Sequence, residues 1–289
     1  MEKLKHHKYS FLLFLLLFFI IISSFTFINS KQISSQDNSK MIPTVFVHGF
    51  KGGPGSFRTM LDRMEASVPD TKRMVFRVNE EGEVSIKGRY SGQLNPFIQV
   101  VFERNRASLA NQTIWLQKVM AELHGTYGFE KINLIGHSMG GLASTNFLLT
   151  KSTKEFPIVQ NLIVIGSPFQ GITAERYYSA NSSAAAVDLR FHSDALLSME
   201  GKKDNLPEEV NVLAIAGVIN SQPSQTDGLV ELASALGIKD LVPAEQYTEK
   251  VFYDSKAGHS DLHEHVGVDR AVSDFLWSTE KVVSEGEID

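Results

Sequence analysis

The sequence predicts an α/β domain: a mostly parallel central sheet with helices on both faces and a helical cap insertion. Three observations carry this. Short, continuously apolar β-prone runs alternate with helical patterns along the chain, which is how strands buried on both faces read. A Gly-x-Ser-x-Gly motif, Gly136-His137-Ser138-Met139-Gly140, lies between one such run and the helix pattern after it. The 289-residue chain, less a 30-residue leader, has the length of one large domain with a full core.

The leader comes first. Lys3, Lys5 and Lys8 precede an unbroken apolar run from Phe11 to Ile22, the layout of an export signal. Ser23, Ser24 and Thr26 weaken the apolar stretch beyond it, and Ser30 offers a small residue for cleavage. Left uncleaved, Phe11–Ile28 is close to the shortest transmembrane helix. Residues 1–30 are therefore a signal peptide or an N-terminal membrane anchor. Lysines on the near side keep that end cytoplasmic, so both readings export the body, to the medium or to the outer face of the membrane. Residues 31–40 are polar and read as a linker, and 41–285 as the catalytic-size domain.

Within that domain Pro43–Val47 is a strand, ending at His48-Gly49-Phe50 and a loop, Lys51-Gly52-Gly53-Pro54-Gly55. Further strands are expected at Arg73–Val78, Val84–Lys87 and Phe97–Phe102. Trp115, Leu116, Val119, Met120 and Leu123 then share one helical face. Lys131–Ile135 reads as a strand, Leu142–Leu149 as a helix and Leu162–Ile165 as a strand. Val210–Ile219 and Val251–Tyr253 are later strands, and Val266–Trp277 a closing helix. Gly171–Glu209 interrupts this rhythm. It holds Tyr177, Tyr178, Leu196, Leu197 and Met199 without a strand signal, and a segment that long is expected to be an inserted helical cap, residues 171–209.

Composition narrows the chemistry. The chain has no Cys, which removes thiol nucleophiles, Cys-ligated metals, disulfides and acylated lipoprotein cysteines. Its formal charge is −5 with Lys and Arg dispersed, which argues against nucleic-acid binding.

The serine motif alone would arise by chance in roughly one protein in ten of this length; its position after Ile132-Asn133-Leu134-Ile135 is what makes it informative. A tight strand-to-helix turn holds Ser138 strained with its hydroxyl exposed, and side chains at 136 and 140 would clash across it. The following helix aims its amides at negative charge developing beside Ser138. A serine nucleophile needs a base, and the base an orienting acid, here expected in the order Ser, acid, His. Asp227, in the polar loop after Val210–Ile219, is the favoured acid; Asp188, Asp194 and Asp204 fall in the cap, and Asp240 follows no strand. For the base, His259 follows Gly258 after the last strand, and His263, at the mouth of the final helix, is its competitor. His48 and His137 are assigned structural hydrogen bonds. The oxyanion hole falls to the backbone amides of Phe50 and Met139. The glycine-rich loop lacks a Gly-Lys-Ser/Thr ending, so no nucleotide site is expected. His259, Asp261, His263, Glu264 and His265 invite a metal reading, but Ser260 stands where a His-Glu-x-x-His motif carries its glutamate, and no metal is expected.

Val45-Phe46-Val47-His48-Gly49, the serine motif and the late Asp and His resemble the α/β-hydrolase superfamily of lipases and esterases. More narrowly, Asn95-Pro96-Phe97-Ile98-Gln99-Val100-Val101-Phe102-Glu103, Trp115-Leu116, Ile132–Gly141 and His259-Ser260-Asp261-Leu262-His263-Glu264 resemble a poorly characterised family. Its members are exported or cell-surface α/β hydrolases of low-GC Gram-positive bacteria. The resemblance spans about residues 41–277 and implies a Ser138–Asp227–His259 triad without a cofactor; where that family carries Asn after the glutamate, this chain has His265. The expectation is a secreted or surface-tethered serine hydrolase of small-molecule or lipid-like carboxylic esters, with no oligomeric state specified. Two alternatives share these features: a non-catalytic surface binding protein on the same scaffold, and an acyltransferase.

Overall fold

A computed structural model describes residues 42–150, 154–219 and 225–277. The leader at 1–30 and the linker at 31–40 lie outside the described residues. Eight strands form one sheet: β1 (Thr44–Val47), β2 (Arg73–Val78), β3 (Val84–Lys87), β4 (Phe97–Phe102), β5 (Lys131–His137), β6 (Ile158–Ile165), β7 (Asn211–Val218) and β8 (Tyr247–Tyr253). Their order is β3-β2-β4-β1-β5-β6-β7-β8. Only the β2–β3 hairpin is antiparallel; every other neighbouring pair is parallel.

The alternation of side chains along each strand feeds two cores. Val45 and Val47 of β1 face one core with Val100 and Leu134, under helices α2 (Leu109–Gly125) and α3 (Met139–Leu148). Phe46, Ile135, Ile163 and Ile215 face the other, under α1 (Arg58–Ser67) and the last helix, Val266–Trp277. Register is marked by polar side chains where the central strands begin. Thr44, Asn133, Asn161 and Asn211 are successive cross-strand partners, and Asn161 donates to Asn133 over 2.7 Å.

Between β6 and β7, residues 171–209 contain three short helices, α4 (Glu175–Ser179), α5 (Ala184–Asp188) and α6 (Asp194–Glu200). Asp188 accepts the Leu109 amide at 2.7 Å, closing the N-terminus of α2. A four-residue helix, α7 (Leu232–Ala235), follows β7, and Val266–Trp277 is α8.

Three differences from the sequence reading have physical causes. Helix α1 was not expected: it is ten residues long, and its buried face is only Met60, Leu61 and Met64, directly after a loop of glycines. Strand β8 starts at Tyr247 and not Val251, because it is an edge strand whose Thr248-Glu249-Lys250 stretch is exposed and carries no apolar signal. Strand β6 starts four residues before Leu162, with Gln160 and Asn161 only half-buried. Among the described residues no helix is long and apolar enough to cross a membrane.

Candidate active site

The site forms where β1, β5, β7 and β8 end, because parallel strands deliver the loops at their C-terminal ends to one edge of the sheet. Ser138 occupies the turn from β5 into α3 with φ 54° and ψ −127°, a conformation L-residues rarely adopt. Two hydrogen bonds hold it there: its N–H donates to the Ile165 carbonyl (2.8 Å), and its carbonyl accepts the Gly141 N–H (3.0 Å). The glycines of the motif are sterically required. A Cβ at Gly136 would lie 2.4 Å from the Gly141 nitrogen, and one at Gly140 would lie 2.2 Å from the Val47 carbonyl oxygen. Gly140 thus lets α3 press against the end of β1.

The loop after β7 presents Asp227, which is 2% exposed. One carboxylate oxygen accepts the amides of Leu229 (2.9 Å) and Val230 (2.7 Å). The other accepts from His259 Nδ1 at 2.7 Å. Since Nδ1 carries that proton, Nε2 has a free lone pair, and it lies 3.0 Å from Ser138 Oγ. The backbone repeats the link, with the His259 N–H donating to the Asp227 carbonyl at 2.8 Å. Ser138, His259 and Asp227 are therefore one hydrogen-bonded chain.

The other histidines are engaged differently. His263 is paired with Glu264 (3.2 Å) and packs edge-on against His137 with ring centres 4.9 Å apart; it makes no hydrogen bond to Ser138 or Asp227. His137 donates from Nε2 to the His259 carbonyl at 2.8 Å. His48 accepts the Phe102 amide on Nε2 (3.0 Å), so its Nδ1 carries the proton and donates to the Gly49 carbonyl (2.9 Å). His265 caps α8 by accepting the Gly267 amide on Nδ1 and donates from Nε2 to Asp254. With these side chains committed to separate partners, the described residues contain no cluster of three or more His, Asp or Glu placed to hold a metal ion.

Burial pushes His48, His137 and His263 below the ordinary imidazole range; for His137 the neighbouring His259 and His263 add to the shift. These three rings are neutral at neutral pH.

The amides of Phe50 and Met139 have no acceptor among the described residues. Met139 opens α3, and Phe50 follows the His48–Gly49 end of β1. The loop carrying Phe50 is pinned from outside: Lys51 N–H donates to the Asn105 carbonyl (2.9 Å), Asn105 Nδ2 to the Gly52 carbonyl (2.7 Å), and Gln99 Nε2 to the Pro54 carbonyl (2.9 Å). An open cleft of about 580 Å³ lies over Ser138, lined by this loop, Tyr177, Leu229, His259 and His263. Tyr177, from α4, meets the Phe50 ring edge-on at 6.2 Å.

Two contributors escaped sequence reasoning. The contact of His137 with the His259 carbonyl joins residues 122 positions apart, and no local pattern encodes it. Arg63 of α1, which donates to the His263 carbonyl (3.3 Å) and pairs with Asp269 of α8, was missed with its helix; the Met60, Leu61, Met64 spacing was the available signal.

Several solved structures share this fold. A protein of Listeria innocua is 26% identical, with a TM-score of 0.73, covering 84% of this chain and 96% of its own. A protein of Lactobacillus plantarum described as a cell surface hydrolase is 21% identical, with a TM-score of 0.63, over 82% and 90% of the two chains. The mature form of a Bacillus licheniformis lipase is 16% identical, with a TM-score of 0.52, over 83% and 93%. No curated protein matches the chain in sequence. With its mostly parallel sheet and a serine turn opening α3, and with residues 31–279 matching the family as a whole, the chain belongs to the alpha/beta hydrolases of unknown function grouped as DUF915.

Proposed function

We propose that this hydrolase is an exported serine esterase that cleaves carboxylic esters through an acyl-enzyme. The observation that carries the reading is the chain of two hydrogen bonds, Ser138 Oγ to His259 Nε2 at 3.0 Å and His259 Nδ1 to Asp227 at 2.7 Å. Ser138 Oγ attacks the ester carbonyl as His259 Nε2 takes its proton, and Asp227 holds the ring and stabilises the imidazolium. The tetrahedral oxyanion is held by the amides of Met139 and Phe50. Collapse breaks the C–O bond to the alcohol, which leaves with the proton from His259. Water then repeats the sequence on the acyl-Ser138, giving the acid and free serine.

Segment 171–209 acts as the cap, since it sends Tyr177 into the cleft. Export rests on the basic and then apolar leader, Lys3 to Ile22, and agrees with the surface location in the description of the Lactobacillus protein. The test is covalent labelling. A fluorophosphonate should modify the full chain at Ser138 and hydrolysis of 4-nitrophenyl butyrate should stop with it. Equal labelling of wild type and Ser138→Ala would overturn the proposal.

A further inference from the structure

The cleft over Ser138 is lined by permanent charge of one sign. Its lining contains one residue with a permanent charge, Lys51, and no Asp or Glu among the described residues. That is notable in a chain whose formal charge is −5. Lys51 pairs with no carboxylate among the described residues; its ammonium lies over the Phe50 ring, 5.2 Å from the centroid. Two acids that contact the lining histidines are committed elsewhere. Asp227 is buried against two amides and His259, and Glu264 accepts from Thr59 and lies beside Arg63.

The backbone fixes where the Lys51 side chain starts. Lys51 has φ 60°, a left-handed conformation that favours Gly or Asn, and its amide is tied to Asn105. It directly follows Phe50, whose amide is proposed above to hold the oxyanion. The N-terminus of α3, starting at Met139, adds positive potential at the same place. Beside it, Phe50, Tyr177 and Leu229 give the cleft an aromatic and apolar lining.

Resting on the serine-esterase reading above, we propose that the cleft selects anionic esters, whose carboxylate pairs with Lys51 a few bonds from the scissile carbonyl while their apolar part lies against Phe50 and Tyr177. The charge contributes binding without entering the bond-breaking steps.

The test compares kcat/KM within two matched pairs of esters, using the full chain. One pair places the charge on the acyl side, mono-4-nitrophenyl glutarate against 4-nitrophenyl butyrate. The other places it on the alcohol side, 4-acetoxybenzoate against its methyl ester. In at least one pair the anionic-to-neutral ratio should fall about fivefold or more in Lys51→Asn, a change that keeps a residue tolerant of the left-handed backbone. It should fall further in Lys51→Glu and recover in Lys51→Arg, and 0.5 M salt should lower the wild-type ratio (a condition at which screening is strong, roughly 4 Å). Ratios identical in wild type and Lys51→Asn for both pairs would overturn it. The two proposals fail separately: if Ser138→Ala retains hydrolysis, the serine reading falls, while the anionic-to-neutral kcat/KM ratio measured in that variant with and without Lys51→Asn still decides the charge assignment.

Discussion

His137 donates its Nε2–H to the backbone carbonyl of His259 across 2.8 Å, and the two rings lie 4.9 Å apart. The residue before Ser138 therefore fastens the loop that carries His259. His137 touches no reacting atom and acts as a positioning residue. His137→Phe keeps ring volume beside Phe57 and removes the donor, leaving the His259 carbonyl unpaired. A lost hydrogen bond of about 1.5 kcal/mol corresponds to roughly tenfold. The expected result on 4-nitrophenyl butyrate is a kcat lowered about tenfold with KM within about twofold. His137→Gln, which restores a donor, should recover part of it. A fall in Tm with unchanged kcat would mean that the contact serves stability alone.

Asp227 is the acid proposed to orient His259, and Asp227→Asn tests that role without emptying the site. The amides of Leu229 and Val230 keep the side-chain oxygen facing the loop, so the new amide group faces His259 Nδ1. That forces the other tautomer, with the Nε2 proton pointing at Ser138 Oγ. Activity should drop by roughly 10⁴-fold while the far-UV spectrum and Tm stay close to wild type. Comparing His259→Ala with His263→Ala separates the two candidate bases: the first should abolish acylation, and a hydrolysis rate surviving in it would shift the role to His263.

Sequence patterning made the sheet legible because six of its eight strands bury side chains on at least one face. Edge strand β8 was read only in part, since Thr248-Glu249-Lys250 faces solvent and looks like loop. Helix α1 was missed although Met60, Leu61 and Met64 share one face, because it is short and follows directly on a glycine-rich loop. Around the serine the motif dictated local geometry, as the Cβ distances at Gly136 and Gly140 explain. What a linear reading lacked was long-range placement. Local pattern favours His259 over His263 only through the preceding Gly258 and the distance from the final helix, because which one reaches Asp227, 32 positions upstream of His259, is a matter of long-range placement. The unpaired Lys51 at the cleft is equally invisible until the third dimension brings its neighbours in.

The packing of α3 on β1 predicts a sharp contrast between two glycines. Gly140→Ala would place a methyl 2.2 Å from the Val47 carbonyl oxygen and 2.6 Å from that of His48, both backbone atoms that cannot rotate away. It should cost about 3 kcal/mol or more and displace the Phe50 and Met139 amides together. Gly125, at the end of α2, has open space around the same added atom. Gly125→Ala should be neutral or stabilising by up to about 1 kcal/mol. Urea midpoints of the two variants decide the matter; similar midpoints would contradict the close approach.

Stability should depend on pH through His48, His137 and His263. Burial lowers the folded-state pKa of each below the ordinary value, which is about 6.5 in the unfolded chain. Above that value both states are neutral and the full stability is present. Below it the unfolded chain binds protons that the folded protein refuses, so unfolding takes up protons and stability falls with pH. His48 illustrates the cost: its Nε2 accepts the Phe102 amide, and protonation would set two donors against each other. The Tm should therefore decline steadily from about pH 7 to about pH 5. Glu264 beside His263 pulls against burial there, whereas His137 is held well below the ordinary value, so His263→Gln should flatten the decline less than His137→Gln. A Tm constant over that interval in the wild type would contradict the neutral, buried assignment of all three rings.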